Sequence, residues 1–461
     1  MDKPRLRDTL FIALVGAATL LPFLGQTHEV SSHEIRHAEI GREMATSGDF
    51  LIPTLLGRPY RDKLPLMSAA VALLFRAAGE PSMALARLPS ALAAIGGAML
   101  LYGIGCALAD RRAARLGALG VLGVQGYQDL ARTARPDMLF TATLLLACFA
   151  SIRALSRGGE RGSGWAIAGA ACAAASFLKG PLAWAFCGLF PYAVWLCGDG
   201  LRRPRTSDWA TFAAGFTAAA ATWVVPVVLR DGGVYLWSFL TQPDLTTWHL
   251  TDSLRRCHWP SIYGFIGFLP LAPLLPIAAM DARRRGLRPP LAIALGMLVV
   301  LSIIPKKRMH YSVPLLPFLA LAVAEAARCS IDPRWWRAAR GLAAIGLVAA
   351  PLYFGFVLPR LRPDEDPESV AARRILEGIE PASPIVCFGE MAERLAFVGR
   401  RGDVSAVTDG DSLAREIRRR GRGTYLVLPQ PSDLSAPADF RLASDVESPA
   451  GRWRIYQVDS G

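Results

Sequence analysis

The chain has 461 residues, 52% of them hydrophobic and 19% charged, with a formal net charge of +13. One soluble core cannot hide that much apolar surface, so a purely soluble globular protein is excluded and lipid-facing helices are expected. From Pro359 onward 15 Lys/Arg stand against 17 Asp/Glu, so the positive excess lies earlier in the chain, at membrane surfaces rather than on a nucleic-acid-binding face.

In chain order, the first apolar stretch, Leu10 to Gln26, follows Lys3, Arg5 and Arg7 and lacks a small-residue cleavage site. It reads as a retained first helix rather than a removed signal. Residues 27–82 form neither a span nor a linker. His33 to Thr46 has the pattern of a surface-lying amphipathic helix, Ser47-Gly48-Asp49 breaks it, and Leu66 to Ala78 is apolar but too short to span. Between them runs the polar connector Arg58-Pro59-Tyr60-Arg61-Asp62-Lys63.

Apolar runs fit to cross a ~30 Å hydrocarbon core, several of them short, lie near residues 9–26, 83–107, 113–126, 137–152, 163–178, 181–197, 209–229, 259–280, 289–304, 312–327 and 341–358. With the N-terminus in the cytoplasm, the clusters at Arg111, Arg112 and Arg115, at Arg153 and Arg157, at Arg202, Arg203 and Arg205, at Arg283 to Arg285 and at Arg334 to Arg340 all face the same side. An odd number of spans, eleven, then puts residues 27–82, 230–258 and the tail from Pro359 on the opposite, periplasmic side of a bacterial inner membrane. The tail alternates a polar helix (Glu368 to Glu380), an apolar run (Pro384 to Phe388), a second helix (Asp411 to Arg420) and strand-like runs at Thr424 to Leu428 and Arg452 to Val458, which predicts a small α/β domain at 359–461. The expected division is thus a transmembrane domain, 1–358, followed by that tail.

Six of the eight cysteines sit in or beside apolar spans, and no disulfide framework or CxxC zinc spacing is present. Two outer loops break the charge rule, with Lys306-Lys307-Arg308 in one and Arg58, Arg61 and Lys63 in the other. Such clusters hold either ordinary headgroups or a specific anionic ligand, for which the phosphate of a lipid carrier has the right charge and depth. Carboxylates lie nearby, Glu34 and Glu39 on the first loop helix and Asp62 beside Lys63, and glycosyl transfer needs a carboxylate to deprotonate an acceptor or to steady an oxocarbenium-like centre. Asp137, after Arg135-Pro136, sits at the mouth of a span, where an acid either pairs or caps its helix.

The segments Ile35-Arg36-His37-Ala38-Glu39-Ile40, Gly48-Asp49-Phe50, Tyr60-Arg61-Asp62-Lys63-Leu64-Pro65 and Arg87-Leu88-Pro89-Ser90 resemble the first outer loop of the protein O-mannosyltransferase and aminoarabinose transferase family. The resemblance continues through Ala131-Arg132-Thr133-Ala134-Arg135-Pro136-Asp137, Phe177-Leu178-Lys179-Gly180-Pro181 and Pro305-Lys306-Lys307-Arg308-Met309-His310-Tyr311-Ser312-Val313-Pro314, and covers roughly residues 5–330. It implies an α-helical polytopic membrane protein of the GT-C fold, with about eleven transmembrane helices and the tail as a small periplasmic α/β domain. It also implies an inverting transfer of a monosaccharide from a polyprenyl-phosphate-linked donor to a lipid, glycan or protein acceptor.

The resemblance puts Lys63 and Tyr311 at positions that meet the carrier phosphate, with Lys306, Lys307 and Arg308 around Tyr311 and Arg255 from the loop 230–258 added; the basic cluster adds Arg58 and Arg61, and Arg36, Asp137 and Lys179 are expected to line the cavity. Asp62 stands where the family has an acid that holds a divalent ion or orients the carrier, and His249 falls in the region that gives a histidine to that metal site. Tyr311 reads alternatively as an interfacial aromatic anchor. One departure bears on catalysis: the family begins its loop motif with Asp-Glu and uses the Asp as catalytic carboxylate, whereas this chain has His33 followed by Glu34. Either Glu34 takes the role, or His33 acts as base with its near-neutral pKa, or the chain binds or flips carrier lipid without catalysis. A secondary transporter is disfavoured, because no paired repeat is visible and the charges sit at span ends.

Overall fold

The computed structural model describes residues 3–26, 30–156, 161–241, 257–304, 308–361, 366–421, 423–432, 436 and 440–458. Helices α1 (Lys3–Leu20), α2 (Ser32–Ser47), α3 (Leu66–Ala78), α4 (Met83–Leu108), α5 (Arg111–Leu122), α6 (Gln125–Ala131), α7 (Asp137–Leu155), α8 (Arg161–Lys179), α9 (Leu182–Cys197), α10 (Thr206–Asp231) and α11 (Val234–Leu240) account for the first half. Further apolar helices follow at Trp259–Gly267, Leu275–Arg285, Pro289–Ile303, Leu316–Cys329 and Pro333–Leu352.

Every candidate membrane-spanning run is thus largely helical, but the runs differ in reach. Among the described residues five helices are long and apolar enough to cross a membrane, and a sixth span arises if the pair Trp259–Gly267 and Ala272–Arg285, bent by 112°, is counted as one. The bend falls where Pro270 and Pro273 remove backbone donors and crowd the preceding turn. The run at 113–126 yields only the 12-residue α5, and α9 and Pro289–Ile303 are shorter apolar helices. α10 leaves Val225 and Leu229 exposed, an apolar surface suited to lipid.

The chain divides into two compact units that do not follow one another in sequence. The first comprises Met1–Leu24, Arg61–Met67 and Arg87–Phe356. Small residues set its helix spacing: a Cβ on Gly169 of α8 would run into the Phe212 carbonyl, and one on Gly215 of α10 into the Ala166 carbonyl, so the two backbones meet at close range.

The second unit comprises Gly25–Tyr60, Ser68–Ala86 and Val357–Gly461. Its centre is a five-stranded sheet in the order β4-β3-β5-β7-β6, formed by β3 (Ile385–Phe388), β4 (Val404–Val407), β5 (Tyr425–Gln430), β6 (Phe440–Ser448) and β7 (Gly451–Val458). β3 runs parallel to β4 and β5, whereas β7 pairs antiparallel with β5 and β6. Ile385, Cys387, Val404, Val427 and Ile455 pack with Ala371 and Ile375 of the helix Pro367–Glu377 and with Leu395 of the helix Met391–Gly399. Leu56, from the first loop, packs against that same core. The loop contributes its own small cluster, Ile40, Met44 and Ala72, and a short hairpin of β1 (Thr54–Leu55) with β2 (Arg58–Pro59) that its polar composition did not announce. The sequence reading located the helices at 368–380 and 411–420, the apolar run that forms β3, and the two strand-like runs that form β5 and β7. The helix Met391–Gly399 and strands β4 and β6 emerge only in the structure.

Candidate functional site

In the first unit, four segments far apart in sequence bring their polar groups together. Asp137 is the first residue of α7 and is buried. Lys179 is the last residue of α8, ended by Gly180 at φ +65°, a left-handed conformation that glycine adopts freely. A carboxylate at a helix start and an ammonium at a helix end each sit at the favourable pole of their own dipole. The Lys179 Nζ donates to Asp137 Oδ1, which decides between the two readings of Asp137 in favour of pairing.

Arg135 Nε lies 3.7 Å from Asp137 Oδ2, and its Nη2 is 3.5 Å from His310 Nδ1. The Ser90 hydroxyl fixes the same turn by donating to the Arg135 carbonyl at 3.0 Å. Lys179 Nζ stands 4.3 Å from the centroid of the Tyr311 ring and 5.8 Å from that of Phe140, and the His310 and Tyr311 rings meet edge-on at 4.8 Å. Lys63 belongs to the same unit, close enough for its charge to act on Lys179. Its backbone carbonyl accepts from the Tyr235 hydroxyl at 3.3 Å, while its Nζ donates to the Asp62 carbonyl at 3.1 Å.

Asp137 is therefore opposed by Arg135 and Lys179, with the charge of Lys63 acting on Lys179, and the cluster carries excess positive charge, the property an anion site requires. Four sequence-predicted residues, Lys63, Asp137, Lys179 and Tyr311, are brought together here. Arg135 and His310 join them, both within the quoted motifs but neither singled out. Arg308, exposed, precedes the turn that carries His310 and Tyr311, and its carbonyl accepts from the Tyr311 amide at 3.0 Å. Arg61 and Asp62 are exposed on the connector. Lys306, Lys307, His249 and Arg255 lie outside the described residues. Among the described residues no three His, Cys, Asp or Glu side chains converge as a metal site, so the residues described do not by themselves build the divalent-ion site that the resemblance implies.

In the second unit, α2 opens with a capping box. The Ser31 amide donates to Glu34 Oε2 at 3.3 Å, and Glu34 is buried. His33, one residue earlier, is exposed. Arg36 Nε donates to both oxygens of Glu393, at 2.9 and 3.1 Å, and its Nη2 to Glu390 Oε1 at 3.3 Å. Arg58 Nη2 pairs with Glu416 at 3.0 Å, and Arg42 bridges Glu39 and the Arg401 carbonyl. Burial pushes the Glu39 carboxyl up to about 7, against the pull of Arg42. Arg36 and Arg58, expected to face the cavity and the carrier, are thus engaged by acids from the C-terminal segment. Those acids follow them by more than 350 positions, a separation that no local pattern signals.

Residues 62–229 match the family model described as dolichyl-phosphate-mannose-protein mannosyltransferase. The matched stretch contains Asp62-Lys63, Arg135-Pro136-Asp137 and Lys179. No curated protein matches the chain in sequence. ArnT from Cupriavidus metallidurans, solved bound to undecaprenyl phosphate and in the apo state, superposes with a TM-score of 0.78 at 18% identity, covering 98% of each chain. The chain has the fold of ArnT. The apo oligosaccharyltransferase of Archaeoglobus fulgidus matches at TM-score 0.55 and 10% identity over 92% of this chain and 69% of that one. The mycobacterial arabinofuranosyltransferase AftD matches at 0.54 and 18% over 98% of this chain and 42% of its own. These likenesses bear out the resemblance to the GT-C transferases read from the motifs, and with the apolar helices they make the chain a multi-pass membrane protein.

Proposed function

We propose that the chain transfers a monosaccharide from a polyprenyl-phosphate-linked donor to a lipid, glycan or protein acceptor at the periplasmic face of the inner membrane, by an inverting displacement. The observation that carries this reading is the cationic cluster of Lys63, Arg135 and Lys179 around the buried Asp137, edged by Tyr311, on a fold that ArnT shares and that in ArnT accommodates undecaprenyl phosphate. As the bond from the anomeric carbon to the carrier phosphate lengthens, negative charge grows on the phosphate. Donors held in place by the fold stabilise that charge with little reorganisation. Lys63, Arg61, Arg308 and Tyr311 serve as phosphate donors, with Lys306, Lys307 and Arg255 added from the outer loops. Asp137 keeps Lys179 in place and limits the repulsion among the cations. A group at the start of α2, Glu34 or His33, takes the acceptor proton.

The test is transfer of radiolabelled sugar from a panel of polyprenyl phosphate sugars in membranes. Transfer by the wild type, weakened in Lys63→Met through the Michaelis constant for the donor, supports the reading. Carrier binding with no transfer from any donor replaces it with a lipid-binding or flipping protein.

A further inference from the structure

The stretch Asp231-Gly232-Gly233-Val234-Tyr235 makes a sharp exit from α10. Gly232 and Gly233 stand at φ +68° and +84°, left-handed conformations that glycine adopts without strain, so the chain leaves α10 and enters α11 within two residues. Asp231 fixes that turn: its Oδ1 accepts from the Gly233 amide at 2.9 Å and its Oδ2 from the Tyr235 amide at 2.8 Å. Val234, Trp237 and Leu240, at three-residue spacing, share one face of α11, and all three are exposed, an apolar face suited to lipid. Tyr235 lies on the other side of the helix and is 3% exposed.

Buried there, Tyr235 joins three other segments of the first unit. Its ring meets that of Trp223 on α10 edge-on, with centroids 6.2 Å apart, and Trp223 meets Phe177 on α8 at 5.4 Å. Phe177 stands two residues before Lys179. The Tyr235 hydroxyl donates to the Lys63 carbonyl at 3.3 Å. Between residues 25 and 86 the chain belongs to the second unit except for Arg61–Met67, which belongs to the first. The bond from Tyr235 is thus made to the third residue of that stretch, where the side chains of Arg61, Asp62 and Lys63 are exposed. A tyrosine at the mouth of a span is often an interfacial anchor. In α11 that part falls to the exposed Trp237, whereas Tyr235 is packed inside with its hydroxyl on a backbone carbonyl.

We propose that Tyr235 is a positioning residue for the carrier phosphate: through the Lys63 carbonyl it fixes the backbone from which the Lys63 ammonium meets that phosphate. The inference rests on the reading of Lys63 as a phosphate donor given above. Lysine carries its charge on a flexible four-carbon stem, and meeting an anion costs it rotamer freedom. An unanchored connector adds its own backbone freedom to that cost. A backbone held in advance removes the second part, and the saving is expressed as affinity. The ring contacts extend the same frame through Trp223 and Phe177 to the helix that ends in Lys179, so both cations are placed by one set of packed segments. With its apolar face toward lipid, α11 also sets the depth at which the connector is held. Tyr235 touches neither phosphate nor sugar in this role and acts through Lys63.

The experiment measures binding of undecaprenyl phosphate to the purified full-length protein in lipid nanodiscs for the wild type, Tyr235→Phe, Lys63→Met and the double variant, with the thermal midpoint as the check of folding. Tyr235→Phe deletes the hydroxyl and keeps the ring against Trp223. Expected is binding weakened about 5-fold, the worth of one hydrogen bond, and in transfer a donor KM raised by a similar factor with kcat little changed. In the Lys63→Met background the same substitution should weaken binding no further, because the ammonium it positions is gone. Equal losses in the two backgrounds show a merely structural hydroxyl and overturn the proposal. Undiminished binding by Tyr235→Phe, with weakened binding by Lys63→Met, overturns it and leaves Lys63 as a phosphate donor. Undiminished binding by Lys63→Met overturns the reading of Lys63 and the proposal with it. If Tyr235→Phe does not fold, Asp231→Asn carries the same comparison, since it loosens the first turn of α11 and leaves Tyr235 in the chain. A loss that disappears in the Lys63→Met background supports the proposal there too, and a loss that persists overturns it.

Discussion

Removing Asp137 and Lys179 singly and together tests whether the cluster is one electrostatic unit. Both side chains are nearly out of solvent, 3% and 10% exposed, so a partner left alone keeps its charge in a medium that solvates it poorly. Asp137→Asn strands the Lys179 ammonium beside Arg135 and Lys63, and the expected cost is about 4 kcal/mol, within the range for breaking a buried pair. Lys179→Met leaves the Asp137 carboxylate with Arg135 at 3.7 Å, so a smaller loss, about 2 kcal/mol, is expected. The double variant strands neither member of the pair and should cost no more than Asp137→Asn alone, giving a coupling energy of at least about 2 kcal/mol. The assay is detergent-driven unfolding of the micelle-solubilised protein, followed by tryptophan fluorescence and far-ultraviolet dichroism. Single effects that sum to the double within about 0.5 kcal/mol would refute the reasoning, because independent sites add in that way.

Four further outcomes follow from the packing and the charges. Gly169→Val should drive α8 and α10 apart and lower the yield of folded protein sharply, whereas Gly162→Ala, where a Cβ meets nothing within 4 Å, should leave the thermal midpoint level or slightly raised. Arg58→Ala should change stability by less than about 1 kcal/mol, because its pair with Glu416 is open to solvent on the arginine side; a large loss of transfer in that variant would then reflect the carrier rather than the fold. Glu393→Gln should weaken α2 docking and speed proteolytic cleavage within residues 48–60, with Arg36 left half-buried opposite a neutral amide. The Glu39 carboxyl, raised from 4.5 to about 7 by burial, binds its proton more tightly in the folded chain than in the unfolded one. Its contribution to stability therefore falls as pH rises from about 4.5 through 7. Unfolding midpoints across pH 5–8 should decline more steeply in the wild type than in Glu39→Gln, and parallel curves would refute the assignment.

The sequence by itself determined the class of the molecule. Apolar runs in a chain that is 52% hydrophobic have no stable alternative to helices in lipid, because every backbone donor and acceptor must be satisfied within the segment. It also marked Asp62-Lys63, Arg135-Pro136-Asp137, Lys179 and Tyr311, since charges and a polar aromatic at the mouths of apolar spans are costly unless they bind something. That four of these belong to one cluster was decided by tertiary structure, because α7, α8 and the turn before Leu316–Cys329 meet through contacts far apart in the chain. The same holds for the first loop. Its helix pattern is legible at His33 to Thr46, but its acid partners Glu390, Glu393 and Glu416 come from the turn and helices that connect the strands of a sheet whose strands pair out of sequence order. Strand order follows from non-local pairing, which leaves no periodic trace in a linear sequence.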